Sequence, residues 1–195
     1  MTRRFVILAA AAALLAGADQ AQAQKYFDFL NGGTSFYGGD RRFSPGGVSP
    51  IPRTGVYYPS NYAPGTIVIN TAERRLYLVQ PGGTALRYGI GVGRDGFRWS
   101  GVHRISAKRE WPDWTPPAEM RRRRPDLPSY MEGGIENPLG ARALYLGSTL
   151  YRIHGSNEPE TIGQAVSSGC FRMTNEDVVD LYDRVSVGTT VVVQN

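Results

Sequence analysis

The sequence predicts a mainly β domain, a sandwich or barrel, on three observations. Short β-branched and aromatic runs recur between Gly and Pro punctuation. No long amphipathic helix alternates with them, which disfavours an α/β architecture. The stretch with a clear helical period is short and close to the C-terminus, so one or two short helices are expected.

In chain order, Arg3 and Arg4 precede an apolar run from Phe5 to Ala16 and a small-x-small site at Ala21-Gln22-Ala23. This pattern predicts a secretory signal peptide over residues 1–23. The run is shorter than the roughly 20 apolar residues a spanning helix needs, so an exported, periplasmic or wall-associated protein is expected. Removing it takes Arg3, Arg4 and Asp19 and lowers the formal net charge from +5 to +4. That excess suits an anionic polymer such as a cell wall. No helix-turn-helix, zinc-finger or RNA-binding aromatic pattern accompanies it, and no nucleic-acid partner is expected.

Residues 24–63 are rich in Gly, Pro, Ser and Tyr without a sustained period, and are expected to form an arm or linker. The catalytic domain is expected over 64–195. Its first strands are read at Thr66–Asn70, Arg75–Val79 and Ala85–Ile90, joined by turns at Thr71–Arg74 and Pro81–Gly83. A fourth is read at Gly101–Lys108. The proline-rich segment that follows, with Trp111, Trp114 and four consecutive arginines at 121–124, is expected to be a long ordered loop or lid. The arginines could clamp carboxylates, but a solvated charge run accounts for them more simply. The tryptophans fit a substrate wall and a core cover about equally.

Leu144–Leu146 and Leu150–His154 read as a hairpin whose second strand carries Leu150, Arg152 and His154 on one face, and Tyr151 and Ile153 on the other. Thr174-Asn175-Glu176-Asp177 resembles a capping box, with Val178, Leu181, Tyr182 and Val185 on one helical face behind it. Thr189–Val193 closes the domain as a strand.

The chemistry is expected between His154 and Met173. Cys170 is the one cysteine of the chain, and a lone thiol in an exported protein has no disulfide partner. A thiol needs an imidazole, a cation or a helix N-terminus to become a nucleophile near neutral pH. His154 supplies the first, and Arg172 adds positive potential or grips an anionic group. The turn Ser167-Ser168-Gly169-Cys170 offers backbone N–H groups to a tetrahedral oxyanion, that of Cys170 first among them. A carbonyl near Gly155 or the hydroxyl of Ser167 could orient the imidazole. Two histidines and one cysteine are too few for an ordinary zinc site, so no metal is expected. His103 is given no role.

His154-Gly155-Ser156 followed by Ser167-Ser168-Gly169-Cys170-Phe171-Arg172-Met173 resembles the L,D-transpeptidase family, the YkuD domain. That family's signature is His-Gly-Thr/Ser and then Ser-His-Gly-Cys-Ile-Arg-Met. Trp114-Thr115-Pro116-Pro117 and Asn137-Pro138-Leu139-Gly140-Ala141-Arg142-Ala143 resemble two further family segments. The likeness runs from Pro64 to Asn195 and implies an L,D-transpeptidase-like β-sandwich.

The resemblance also implies roles. Cys170 would be the nucleophile, His154 the general base and later acid, Gly155 the carbonyl that orients the imidazole, and Arg172, Ser168, Gly169 and Ser167 the substrate side of the site. The implied reaction attacks the third residue of a peptidoglycan stem peptide, expels terminal D-alanine, and passes the acyl group to an amine. That amine belongs to another stem or to an outer-membrane protein. Water in its place gives an L,D-carboxypeptidase. No cofactor is implied, and carbapenem-type inhibitors are expected to acylate the thiol. The sequence departs from the pattern at Ser168, where the family usually has histidine, and at Arg98-Trp99-Ser100-Gly101, where it usually has Thr-Pro-Thr-Gly. The alternatives are a peptidoglycan-binding module without turnover and a Cys/His hydrolase of another fold.

Overall fold

The structure is a computed structural model that describes residues 49–195. The expected signal peptide and residues 24–48 of the expected arm lie outside the described residues.

Strands β2 (Ile67–Asn70), β3 (Arg75–Gln80) and β4 (Thr84–Gly89) form the antiparallel meander read from the sequence. Alternation sets its inner face. Ile67 pairs with Leu78, Ile69 with Leu76, and Leu76 in turn with Tyr88, so each row across the meander buries apolar side chains. β11 (Thr190–Gln194) joins β2 in parallel and puts Val191 and Val193 into the same core.

β6 (Gly101–Glu110) is the hinge of the architecture. Its first half pairs with β11 and its second half with β7 (Arg142–Leu146), and the register shifts between Ile105 and Ala107. The extra residue bends the strand, so one sheet becomes two layers. The full order is β1-β4-β3-β2-β11-β6-β7-β8-β10, with β1 at Thr54–Tyr57, β8 at Arg152–His154 and β10 at Phe171–Arg172. Both layers feed one core that includes Ile69, Tyr88, Ile105, Leu144, Ile153 and Phe171, as a sandwich requires. β5 (Val92–Gly93) and β9 (Ala165–Ser167) make a separate parallel pair.

Helix α2 (Asn175–Arg184) begins as the sequence predicts. The Thr174 hydroxyl accepts from the Asp177 N–H at 3.3 Å, and Val178 and Leu181 are fully buried. Its far end is closed by a residue with no local sequence signal. Lys108 on β6 donates to the carbonyls of Tyr182 and Val185, both at 2.6 Å, and its ammonium lies 3.9 Å from the Tyr182 ring centroid. These contacts satisfy orphan carbonyls and oppose the negative end of the helix dipole.

The expected arm ends earlier than residue 63. Thr54–Tyr57 is an edge strand, β1, antiparallel to β4. Arg53 reaches Asp177 at 3.5 Å and Asp180 at 3.2 Å on α2, and Ile51 packs against Gly89 and Gly163. An edge strand with a mostly exposed face needs no apolar alternation, so its sequence resembles a linker. Within the long loop, Ala118–Arg123 forms a short helix, α1, and Trp114 bridges Met131. Arg121–Arg124 are exposed, in keeping with a solvated charge run. Arg122 and Arg124 pair locally with Glu119 and Asp126.

Candidate active site

The site grows out of a parallel pairing between β8 and β10, in which Phe171 stands beside Ile153 and Arg172 beside His154. Partners in register share a face, and alternation turns Ile153 and Phe171 into the core, where both are fully buried. The opposite face therefore carries Arg152, His154 and Arg172. Extending the register by one residue sets Cys170 beside Arg152 on that face. Its Cα then lies about 8 Å from that of His154, from the spacing of adjacent strands and the rise of two residues. Thiol and imidazole project from neighbouring strands towards the same side.

His154 is buried, and its Nδ1 lies 2.6 Å from the carbonyl oxygen of Gly155. A carbonyl can only accept, so Nδ1 donates, and in the neutral ring Nε2 carries the lone pair. Gly155 is locked in turn. Its N–H donates to the Arg142 carbonyl at 3.0 Å, and a Cβ there would sit 2.3 Å from Asn175 Oδ1 and 3.0 Å from the Ala141 nitrogen. Burial, with the Arg172 and Arg152 cations adding to it, pushes the imidazole down from 6.5 to about 3 against the opposing pull of its Gly155 hydrogen bond. The ring is neutral at physiological pH.

Cys170 is a half-buried free thiol whose Sγ lies 3.8 Å from the Leu150 carbonyl. Burial raises its pKa above the ordinary thiol value, and Arg152, through its charge and its backbone N–H, and Arg172 offset part of that rise. The resting pair is thus a neutral thiol and a neutral imidazole.

The model of the YkuD L,D-transpeptidase catalytic domain matches residues 64–193. The chain belongs to this family. The Escherichia coli K12 protein named probable L,D-transpeptidase ErfK/SrfK is 41% identical over 134 residues, covering 64% of this chain and 42% of the relative. This chain thus spans less than half the length of that relative. A crystal structure from Brucella melitensis, named a probable carnitine operon oxidoreductase, is 50% identical and covers 75% of this chain and 96% of its own, with a TM-score of 0.51. L,D-transpeptidase 3 of Mycobacterium tuberculosis, in complex with a faropenem-derived adduct, shares the fold at 17% identity and a TM-score of 0.51, covering 67% of this chain and 60% of its own.

Within this L,D-transpeptidase domain the other expected site residues fall into two groups. Arg172 shares the face of His154, and its guanidinium is steered by Glu158 at 2.7 Å and Thr161 at 3.5 Å. Ser168 is half-buried in the turn before the cysteine. Ser167 and Gly169 instead brace that turn. The Ser167 hydroxyl accepts from the Gly169 N–H at 3.1 Å and donates to the Cys170 carbonyl at 2.6 Å. The hydroxyl is committed to that turn, and the Gly155 carbonyl orients the imidazole instead. Gly169 has φ +109°, a conformation that disfavours any residue with a Cβ.

Two contributors carry no local sequence signal of their role. Arg152 shares the His154 face by alternation, but its influence on the thiol depends on the β8–β10 pairing. Asn175, expected only as part of a helix cap, wedges Oδ1 between Gly140 and Gly155 and accepts from the Ala141 N–H at 2.8 Å. Nothing local to the sequence marks either. Arg109, Glu110, Trp111, Pro112, Asp113 and Tyr145 line a groove. Tyr145 pairs with Arg152, so the groove opens on the face that carries the cysteine. No helix of the described residues is long and apolar enough to cross a membrane, and among them no group of three or more His, Cys, Asp and Glu is placed to share a metal ion.

Proposed function

We propose that this domain is a cysteine acyltransferase acting on peptidoglycan stem peptides in an exported, periplasmic or wall-associated setting. The observation that carries the reading is the buried imidazole, pinned through Nδ1 to Gly155, on the same face as a half-buried thiol one strand away. Cys170 Sγ attacks the carbonyl of the third stem residue while its proton passes to His154 Nε2. The tetrahedral oxyanion forms against the Cys170 N–H. Collapse breaks the bond to terminal D-alanine, whose amine takes the proton from His154, and leaves a thioester. An acceptor amine then attacks that thioester, gives up a proton to His154, and releases the thiol.

The family membership and the basic face of Arg152 and Arg172 support an anionic peptide donor. The acceptor is a stem-peptide amine, giving a cross-link, or the amine of an outer-membrane protein. Ser168 in place of the usual histidine leaves one imidazole to do both proton transfers.

A defined tetrapeptide stem, incubated with and without an acceptor amine, tests the reading by mass spectrometry. Loss of terminal D-alanine with a new amide to the acceptor is expected for the wild type, and neither product for Cys170→Ala or His154→Ala. Release of D-alanine without acceptor incorporation makes the domain an L,D-carboxypeptidase. Wall binding with no bond change in any variant identifies a binding module instead.

A further inference from the structure

Trp99 occupies the segment where this chain departs from the usual family residues, and the fold brings it directly under the reactive turn. Its Nε1–H donates to the Gly169 carbonyl at 2.8 Å. The indole stacks on Tyr151 with centroids 4.5 Å apart and planes 11° from parallel, tilts against Phe171 at 5.3 Å and meets the edge of His103 at 5.2 Å. A side chain held on three sides by rings cannot swing its N–H elsewhere. Gly169 lies against the same aromatic floor, since a Cβ there would be 2.5 Å from Tyr151 Cε1.

The consequence follows from peptide geometry. The C=O of Gly169 and the N–H of Cys170 belong to one planar trans peptide and point in opposite directions. Fixing the carbonyl on Trp99 therefore fixes the Cys170 N–H away from the aromatic floor. Two neighbouring polar groups of the turn are occupied, with the Gly169 N–H and Cys170 carbonyl both on Ser167 Oγ. Among the described residues, none accepts a hydrogen bond from the Cys170 N–H. A peptide flip would turn that donor towards the indole and put a carbonyl dipole where negative charge develops.

We propose that Trp99 is a positioning residue that aims the Cys170 N–H as the oxyanion donor, by anchoring the opposite side of the same peptide. This rests on the acyl-transfer reading above. It acts through the turn rather than on substrate, so its loss should slow steps that form a tetrahedral oxyanion and spare those that do not.

Two rates on the same thiol separate these cases. Acylation by a carbapenem, followed by intact-protein mass, passes through an oxyanion. Alkylation by iodoacetamide requires only the thiolate. Trp99→Phe keeps an aromatic ring and removes the donor, and replacement of Trp99 by 3-benzothienylalanine does so with almost no change of shape. The expected result in both variants is an acylation rate lower by about 10- to 100-fold, since losing an oxyanion donor outright costs about 10²–10³. Alkylation should stay within about twofold of wild type from pH 7 to 10.

Unchanged acylation in the benzothienyl variant overturns the proposal, as does a fall in both rates by the same factor, which marks a general loosening of the turn. A wild type that alkylates normally but is never acylated, by carbapenem or stem peptide, overturns the acyl-transfer reading and the proposal with it. That result is distinguishable because it appears before any variant is made.

Discussion

The ionisation state of the His154–Cys170 pair is the most exposed consequence of the geometry. With its pKa moved from 6.5 to about 3, the imidazole holds a proton at pH 7 in roughly one molecule in ten thousand, against about a quarter for an ordinary histidine. Burial and the two arginine cations together disfavour the imidazolium. A preformed thiolate–imidazolium pair is therefore not the resting state, and base catalysis by neutral Nε2 is available down to mildly acidic pH. The rate of carbapenem acylation at saturation, read by mass between pH 4.5 and 8, should show no acidic limb near 6.5. Iodoacetamide alkylation should climb above pH 9, because the thiol pKa is raised. Arg172→Gln removes the larger of the two cationic contributions to the imidazole shift and should move the acidic limb upward, towards the measured range. The reasoning fails if wild-type acylation falls with unit slope around pH 6 to 7, or if alkylation is already maximal at pH 7.

Other perturbations test the scaffold. Asp177 is buried on α2 with its pKa raised from 3.8 to about 6, chiefly by burial. The folded state binds the extra proton, so this contribution is full below pH 3.8 and is lost as pH rises through 6. Asp177→Asn should thus gain up to about 3 kcal/mol relative to wild type between pH 4 and 7 in urea unfolding, and a difference that ignores pH refutes the assignment. Gly169→Ala forces a Cβ against Tyr151 at φ +109°; a loss of about 2 kcal/mol or more is expected, with acylation slowed, and wild-type behaviour in both would show that the turn can relax. Lys108→Met removes both caps of the α2 C-terminus. A cost of about 2 to 3 kcal/mol should appear as a lower Tm, and an unchanged Tm would mean that water replaces the ammonium without penalty.

Period-two alternation and Gly/Pro punctuation gave the meander, β6, the β7–β8 hairpin and β11 without help from the rest of the chain. The Thr174 cap and the apolar face behind it likewise specified α2 locally. The single cysteine, His154-Gly155 and the glycine before the thiol were also visible as residues that carry chemistry. These signals are local because they depend on backbone preferences and on a side chain's distance from its own neighbours.

Tertiary structure decided the rest. That β10 lies parallel to β8, which puts Cys170 beside Arg152 and within one strand of His154, depends on residues sixteen or more apart and has no periodic signature. The same holds for β1, an exposed edge recognisable only once β4 offers it hydrogen bonds. It holds too for Asn175 against Gly155, Lys108 at the end of α2, and Trp99 beneath Gly169. A sequence states which groups are available; which of them are desolvated together, and so shift one another's proton affinities, is fixed only when distant strands close on the same core.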